Sequence, residues 1–310
     1  MMQNQKLAFR YAIISVLLWS TIASAFKLSL IYIDFIHLLL GASLVSLITF
    51  FIIIILQKKL PLLKACSKKD YINSAILGFL NPFLYYIVLF RAYSLLPAQE
   101  AQPLNYTWPI ALVLLSIPLL KQKISLNNIV AVIISFLGVL VIGTRGNLFS
   151  LKFHDPVGVF LAVGSSLIWS IFWIYNVKDT KDPVIKLFLN FAFGFIFTLI
   201  ATILFSNLMI PQMKGLLGII YVGLFEMGIT FVFWIKALKL SVTTAKVSNL
   251  VFFSPFISLI FIYLVLGERI LASSIIGLVL IIIGVIIQQY SPQRHPDENR
   301  DYVILRKVHK

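Results

Sequence analysis

Residues 34–56 read DFIHLLLGASLVSLITFFIIIIL, and the only titratable side chains in this stretch are Asp34 and His37, both near its start. The hydrocarbon core of a bilayer is about 30 Å thick, which a helix crosses with roughly 20 apolar residues. The stretch is continuously apolar, whereas a membrane β-strand alternates over about ten residues. It therefore predicts a transmembrane helix.

The composition of the whole chain agrees with this stretch. Hydrophobic residues fill 60% of the 310 positions, only 12% are charged, and the mean hydropathy is +0.98. Soluble domains carry about 25% charged residues. Because the chain has too few polar residues to cover a water-facing surface, we predict an integral membrane protein whose main partner is the lipid bilayer.

Ten apolar runs of this kind follow one another along the chain, separated by short polar turns. The predicted helices lie at 9–30, 34–56, 71–93, 97–119, 127–143, 156–177, 184–206, 215–238, 243–266 and 271–290. The fold class is therefore all-α integral membrane. The single cysteine, Cys66, excludes an intrachain disulfide, and we expect no cofactor, no metal and no catalytic residue.

The net charge of +15 raises the question of a nucleic-acid partner, but the positions of the basic residues point elsewhere. With the N-terminus inside, 19 of the 26 Lys and Arg residues lie in cytoplasmic segments and six lie outside, with Lys246 uncounted near a helix end. This is the positive-inside pattern. We predict a multi-pass protein of a bacterial inner (plasma) membrane, with both termini in the cytoplasm and no nucleic-acid partner.

The last segment, residues 291–310, differs in composition from the rest of the chain. Ser291-Pro292 ends the tenth apolar run, and polar and charged residues follow. We predict a disordered cytoplasmic tail and assign it no activity.

A weak internal repeat runs through the chain at an offset of 145–150 residues. The matching positions, in chain order, are Trp19-Ser20 and Trp169-Ser170, Gly78 and Gly223, Arg91-Ala92 and Lys236-Ala237, Pro109 and Pro255, and Gly138 and Gly284. The repeat divides the chain into a five-helix unit at 1–145 and a second at 150–290. Since five is an odd number, the second unit enters the membrane inverted relative to the first.

Inverted repeats are a device of secondary transporters, in which the substrate site lies near the membrane midplane between the two halves. Exchanging the conformations of two similar halves exposes such a site to either side in turn. The repeat therefore predicts a carrier that works by alternating access.

Several local motifs resemble the drug/metabolite transporter superfamily, in its EamA-type ten-helix branch. In the first half they are Leu18-Trp19-Ser20-Thr21, Arg91 to Leu96, and Asn105-Tyr106-Thr107-Trp108-Pro109. In the second half they are Lys236-Ala237-Leu238, Asn249 to Pro255, Gly267-Glu268-Arg269, and Gly277 to Gly284. The resemblance covers nearly everything before the tail.

This resemblance implies a secondary transporter, an exporter or exchanger, of small organic metabolites. The Trp-Ser-Thr and Asn-Tyr-x-Trp-Pro elements are similar to those of aromatic amino-acid exporters in this group, which adds amino acids as a candidate substrate class. One departure is that Lys121-Gln122 stands where the superfamily often has Gly-Glu.

Glu226 is the strongest single candidate for a functional residue, because it falls at the middle of the eighth predicted helix. A carboxylate at that depth costs about 2.5 kcal/mol or more, so it must be paired, hydrated or protonated. We predict that Glu226 binds substrate or couples transport to protons; an interhelical hydrogen bond is the alternative. Its repeat partner, Asn81, is also polar and joins it as a candidate substrate-binding residue.

The fourth predicted helix supplies further candidates, Gln99, Gln102, Asn105 and Tyr106, at spacings that place much of the set on one face. Such a face should meet a cavity or another helix rather than lipid. Helix packing by hydrogen bonds is the competing interpretation. Pro103 frees a backbone carbonyl that a polar ligand could use, which favours a binding site.

Trp169 is the last candidate, with two interpretations that the sequence leaves open: anchoring at the membrane interface or lining a pocket for an aromatic solute. For Asp34 and Glu100, which lie in first helical turns, a helix-dipole role is the favoured interpretation. For His37, packing is favoured over a proton relay.

Other function classes have less support in the sequence. It contains no phosphate-binding Gly-x-x-x-x-Gly-Lys loop and no His-Glu-x-x-His or Gly-x-Ser-x-Gly motif, so we predict that the protein is not an enzyme. A multi-span membrane enzyme or a channel without an evident motif remains the alternative. Whether the protein forms a homodimer is left open.

Overall fold

The computed structural model describes residues 4–120, 126–148, 153–177, 179, 181–241, 247 and 249–289. All regular structure in these residues is helical, with no β-strand among them. Four predictions concern residues outside the described ones: the tail at 291–310, the turn at Lys121-Gln122, the start of the ninth helix, and Lys246.

Fourteen α-helices follow one another in the described residues. They are α1 Gln5–Tyr32, α2 Phe35–Leu56, α3 Leu60–Lys64, α4 Lys68–Gly78, α5 Tyr85–Leu95, α6 Ala98–Asn105, α7 Trp108–Leu120, α8 Leu126–Gly143, α9 Pro156–Val177, α10 Pro183–Phe205, α11 Met213–Tyr221, α12 Ile229–Leu240, α13 Ser254–Phe261 and α14 Ala272–Gln289. Short π-helical segments join α4 to α5 (Phe79–Leu84) and α11 to α12 (Val222–Glu226), a 3-10 segment (Asn249–Phe253) precedes α13, and a π-helical segment (Ile262–Leu266) follows it.

Among the residues that the structure describes, seven helical stretches are long and apolar enough to cross a membrane, which makes the chain a multi-pass membrane protein. These spans are Gln5–Tyr32, Phe35–Leu56, Lys68–Leu95, Leu126–Gly143, Pro156–Asn176, Pro183–Phe205 and Met213–Leu240. The remaining predicted helices are shorter or interrupted. One is broken after Asn105 into α6 and α7, and the others are described as apolar helices at Leu250–Leu266 and Ala272–Ile287.

Side-chain caps fix where several helices begin. Asp34 accepts hydrogen bonds from the backbone N–H groups of Ile36 and His37, so α2 begins at Phe35. Asp182 caps α10 in the same way, and Pro183 occupies the first helical position, where its missing N–H has no cost. These aspartates satisfy donors that the helix itself leaves unpaired.

Two spans, Lys68–Leu95 and Met213–Leu240, are interrupted in a related way. Each is 28 residues long, and each contains a π-helical segment whose polar residue, Asn81 or Glu226, is the fourteenth residue of its span. Asn81 has an extended backbone (φ −149°, ψ 119°) and precedes Pro82, which cannot donate a helical hydrogen bond. The second interruption contains no proline.

The helices of the first half (before residue 149) and the second half (after residue 152) pack on one another along the whole molecule. In the contacts between the halves, α2 packs on α10, α1 on α12 and α13, α9 on α5 and α7, and α8 on α14. Small residues allow the closest approaches: a Cβ added at Gly138 would meet the carbonyl oxygen of Gly277 at 2.6 Å. Close packing through glycine is typical of membrane helices.

The polar residues collect at two ends of the helix bundle. At the lysine-rich end, Lys59 pairs with Asp182 at 2.8 Å and Lys181 with Asp70 at 3.7 Å. At the lysine-poor end, Lys27 donates to the carbonyl oxygens of Tyr93 (2.8 Å) and Leu96 (2.9 Å). The segments predicted to share one side of the membrane therefore lie together.

Candidate functional site

Glu226 lies at the end of the second π-helical segment, where the wider turn is closed by a hydrogen bond from the N–H of Met227 to the carbonyl of Val222 (3.2 Å). Its carboxylate accepts a hydrogen bond from the hydroxyl of Tyr86 at 3.0 Å. The side chain is enclosed by protein yet keeps part of its surface accessible. It therefore borders an internal space instead of being packed on every side.

Aromatic rings form one wall of this space. Tyr85 packs against Tyr86 and against Trp169, with ring centroids 4.7 Å apart in both pairs. Trp169 also lies 6.2 Å from the ring of Phe231 and remains partly accessible. Trp169 thus packs on Tyr85, the neighbour of the residue that is bonded to Glu226, and its role in binding a solute stays a prediction.

The break between α6 and α7 supplies the polar part of the same wall. Asn105, the last residue of α6, accepts a hydrogen bond from Tyr85 at 3.3 Å and donates to Ser165 at 2.8 Å. Tyr106, in the turn that follows, hydrogen-bonds Ser254. The structure therefore brings four predicted residues into one group; with the two tyrosines it forms the central site, which we define as Tyr85, Tyr86, Asn105, Tyr106, Trp169 and Glu226.

Four contacts of the central site cross between the two halves of the chain. Tyr86 and Glu226, Tyr85 and Trp169, Asn105 and Ser165, and Tyr106 and Ser254 each join the first half to the second. Two neighbouring contacts do the same, Thr21 to Tyr221 (2.7 Å) and Ser20 to Ser254 (3.3 Å). The central site therefore lies at the interface of the two halves.

Asn81 lies apart from this group, at the corresponding break in the first half. It is 1% exposed, and its Oδ1 has no hydrogen-bond partner among the described residues. The next residue, Pro82, packs where a Cβ on Gly194 would be, 2.5 Å from it. Asn81 is thus enclosed by helix packing, and a role in binding substrate stays a prediction.

Gln99 lies at the lysine-poor end, not at the central site. Its amide donates to the carbonyl of Arg269 at 2.9 Å and accepts from the N–H of Leu271 at 2.7 Å. Beside it, the carboxylate of Glu268 accepts hydrogen bonds from the N–H groups of Ala98 (3.0 Å) and Gln99 (3.3 Å). Glu268 of the second half thus caps the N-terminus of α6 in the first half.

The remaining polar residues differ in their surroundings. Gln102 is 6% exposed, its Oε1 has no partner among the described residues, and its role in binding substrate stays a prediction. Glu100 pairs with Arg145 at 2.7 Å. His37 is 4% exposed and contacts Asp34 and the carbonyl of Asn207 (2.9 Å).

Two residues of the central site, Tyr85 and Tyr86, were not singled out from the sequence. A signal was available, because two adjacent phenols shortly after Pro82 in an apolar run need hydrogen-bond partners. Glu268 was also missed, since its partner is a backbone helix end with no side-chain signature. In the described part of the chain, no group of three or more His, Cys, Asp or Glu side chains is placed to hold a metal ion.

Comparison with known proteins gives a consistent family. The sequence profile of the EamA-like transporter family matches residues 7–144 and again residues 156–288. Among solved structures, one crystal structure superposes with a TM-score of 0.63 at 20% identity, covering 92% of this chain and 97% of the other. At that identity, the likeness concerns the fold alone.

Curated relatives are transporters at low identity. An uncharacterized transporter of Clostridium kluyveri is 28% identical over 58% of this chain and 59% of its own length. The transporter YoaV of Bacillus subtilis, also uncharacterized, is 23% identical over 79% of this chain and 83% of its own. The aromatic amino acid exporter YddG of Ancylobacter novellus is 24% identical over 51% and 55%. The chain thus spans little more than half the length of two of these three relatives.

Proposed function

The chain belongs to the EamA-like transporter family, and from this premise we propose that it is a secondary transporter that exports or exchanges small organic metabolites through the central site. The observation that carries the proposal is the position of Glu226. Its carboxylate is enclosed at the middle of a membrane span, borders an internal space, and is bonded to Tyr86 of the other half. A carrier that alternates between two halves needs its binding group at that interface.

We propose further that the chain has ten spans arranged as two inverted repeats of five. The paired breaks at Asn81 and Glu226 support this arrangement, since they occupy the same position in spans of equal length. The contact of Ser170 with the carbonyl of Trp108 (2.8 Å) and that of Ser20 with Ser254 also correspond under the repeat offset. The family profile matches the chain twice, once in each proposed repeat.

The proposed orientation has the lysine-rich end in the cytoplasm of a bacterial cell. It rests on the excess of Lys and Arg in the segments that gather there. The lysine-poor end then faces outward, and an export step releases solute on that side.

Alternating access requires that the lysine-poor end open and close. In this structure the two halves are joined there by Glu268 on the N-terminus of α6 and by Gln99 on the segment that follows Glu268. A pocket of about 410 Å³ opens beside these contacts, lined in part by Lys27 and His154. Since one helix cap contributes only about 0.5–2 kcal/mol, these contacts can hold the end closed and still break during transport.

Glu226 also suits coupling to protons. An enclosed carboxylate in a membrane is stable when it is paired, hydrated or protonated. A proton and a solute that compete for Glu226 would exchange across the membrane, which gives an antiporter. The name of the Ancylobacter novellus relative makes aromatic amino acids the first solute class to test.

Counterflow in sealed vesicles tests the carrier activity. The purified chain is reconstituted into liposomes preloaded with one unlabelled amino acid or metabolite, and uptake of the labelled compound is followed with and without a pH gradient. We expect saturable uptake of one solute class. Uptake should be larger when the pH gradient drives protons out of the liposomes as the solute enters. A carrier is required for this result, because a channel does not produce accumulation by counterflow.

The matched variants are Glu226→Gln and Glu298→Gln, the second of which makes the same chemical change in the C-terminal tail. We expect the first to abolish the effect of the pH gradient and the second to behave as wild type. If Glu226→Gln transports with unchanged rate and pH response, the coupling role is wrong. If folded wild-type protein shows no counterflow across the panel, the transport proposal fails.

A further inference from the structure

We propose that the solute presents a positively charged ammonium group to Glu226 and that a carboxylate on the solute is dispensable. The inference rests on the proposed function to the extent that the central site is where transported solute binds. It adds a chemical class, amines with an apolar or aromatic body, that neither the family nor the names of the relatives supply.

The first observation is the charge at the central site. Among the described residues, no Lys, Arg or His side chain forms an ion pair with Glu226, and the hydrogen bond that its carboxylate accepts comes from the neutral phenol of Tyr86. A buried charge that lacks a partner is strongly unfavourable, and a cation removes that penalty. An ammonium group supplies both the charge and N–H donors for the free lone pairs of the carboxylate.

The second observation is the aromatic wall. The phenols of Tyr85, Tyr86 and Tyr106 are near enough to Glu226 for its charge to act on them. Trp169 stacks beside Tyr85 and keeps accessible surface. Aromatic faces attract ammonium groups through their quadrupole, more strongly when water is excluded, and assemblies of several rings recognise amines.

The third observation is what the site lacks for an anion. Recognition of a carboxylate uses Arg, Lys or the free N–H groups at a helix N-terminus. The described end of α6 that reaches the central site, Asn105, is its C-terminal end, and the N–H groups at its other end are held by Glu268. Partial negative charge at a helix C-terminus favours a cation, so the C-terminal end of α6 opposes an anionic solute at the central site.

Six small molecules, in two sets that each share an aromatic ring and differ in their charged groups, test the proposal. Tryptamine, tryptophan and indole-3-acetate share an indole, and phenethylamine, phenylalanine and 3-phenylpropionate share a phenyl ring. Binding to the purified full chain in detergent is measured by isothermal titration at pH 7. We expect tryptamine and phenethylamine to bind at least as tightly as the amino acids and about tenfold or more tighter than the two acids.

Variants then place the binding at the central site. Glu226→Gln should weaken the binding of tryptamine at least tenfold. Trp169→Leu should weaken it about threefold or more, because a cation–π face is lost. Lys246→Gln removes a basic residue that lies outside the described residues, and it should leave tryptamine affinity unchanged. Size exclusion and thermal unfolding confirm that each variant is folded.

Several results would overturn the inference. These are binding of an acid as tightly as its amine, binding of an amino acid tenfold tighter than its amine, or failure of both amines to bind. Unchanged tryptamine affinity in folded Glu226→Gln, or a tenfold loss in Lys246→Gln, would do the same. Because binding in detergent needs no transport, a protein that binds amines through Glu226 but shows no counterflow refutes the proposed function alone.

Discussion

The breaks at Asn81 and Glu226 occupy the same place in their spans but have different surroundings. At the first, Pro82 packs on Gly194, and Phe79, Phe83 and Phe197 form a ring cluster with centroids 5.4–6.0 Å apart. At the second, a carboxylate borders an internal space lined by phenols and an indole. Apolar side chains fill the break at Asn81, whereas the carboxyl group at the break of Glu226 remains partly accessible.

This difference shows how a repeated backbone can carry a single functional site. Both breaks free backbone groups that are otherwise costly in a membrane. At the second break, Ser46 of α2 in the first half donates to the carbonyl of Gly223 at 2.8 Å, which satisfies one of these groups. The repeat accounts for the shape of the two halves, and the side chains at one break account for the chemistry.

The largest expected effect comes from exchanging the two residues. Glu226→Asn should reduce counterflow about 100-fold, because the only carboxylate at the central site is lost. The double variant Asn81→Glu/Glu226→Asn should not restore transport, since the described surroundings of Asn81 are apolar packing with no phenol bonded to it. Counterflow is measured on protein that elutes as a folded species. Recovery of transport in the double variant would mean that the two breaks are functionally equivalent.

The next effect concerns the packing that both breaks need. Gly78→Ala and Gly223→Ala should each destabilise the protein by about 1–3 kcal/mol through overpacking. The added Cβ would collide with the carbonyl oxygen of Asn190 in the first case and come within 2.6 Å of Val45 in the second. Gly164→Ala is the control, because nothing lies within 4 Å of its added Cβ. Thermal unfolding should show lowered midpoints for Gly78→Ala and Gly223→Ala and an unchanged midpoint for Gly164→Ala. Equal midpoints in all three variants would mean that the helices do not pack closely at Gly78 and Gly223.

A smaller effect is expected from the hydroxyl that holds Glu226. Tyr86→Phe removes its donated hydrogen bond and should lower transport about tenfold, since a bond to a charged group contributes roughly 1.5–3 kcal/mol. Tyr263→Phe makes the same change at a tyrosine that is 58% exposed and should have no effect. Initial rates of counterflow over a range of solute concentrations measure both. A wild-type rate in Tyr86→Phe would show that the bond does not orient the carboxylate.

The smallest effect concerns Asp182, the aspartate that caps α10. Burial raises the pKa of Asp182, but the hydrogen bond and charge of Lys59, together with the N–H groups of Val184 and Ile185, outweigh it and lower the pKa below the ordinary 3.8. Asp182→Asn keeps a good cap and loses the pair with Lys59, which should cost at most about 1 kcal/mol.

The stability that Asp182→Asn loses should become smaller as the pH falls. Because the folded-state pKa of Asp182 is lowered, its contribution to stability is complete above pH 3.8 and is lost as the pH falls through the lower folded value. Thermal unfolding of wild type and Asp182→Asn should therefore differ at pH 7 and converge once the pH falls below the folded-state pKa of Asp182. A difference that persists at the acidic end would assign the effect to the cap and not to the charge.

The helix positions could be predicted from the sequence because lipid demands long apolar runs. The run at 34–56 became α2 with its boundary moved by one residue, to the position that the Asp34 cap dictates. The membrane class and the transporter family followed from composition and motifs. Charge asymmetry predicted that the loops of Lys59 and Lys181 lie on one side of the membrane, and ion pairs join the two loops. The orientation of the chain in the membrane stays a prediction.

The grouping of polar residues was harder to predict. A continuous fourth helix would place Gln99 and Asn105 on related faces, but the helix ends at Asn105 and Gln99 is bound to residues more than 160 positions away. The hydrogen bond between Glu226 and Tyr86 depends on how α5 packs against the other half of the chain. The spacing of residues along one helix gives no information about this packing. The break at Glu226 lacks the proline that marks the break at Asn81, so no residue in the sequence signals it.

The most direct test of the account is the proton movement that accompanies solute transport. Proteoliposomes loaded with a pH-sensitive dye are given a solute that shows counterflow, and the dye signal is compared for wild type and Glu226→Gln. We predict a solute-dependent pH change with wild type and none with Glu226→Gln. The variant should be reconstituted into the same liposomes and remain folded. The same pH change in both proteins, or no change with a solute that wild type transports, would contradict the role assigned to Glu226.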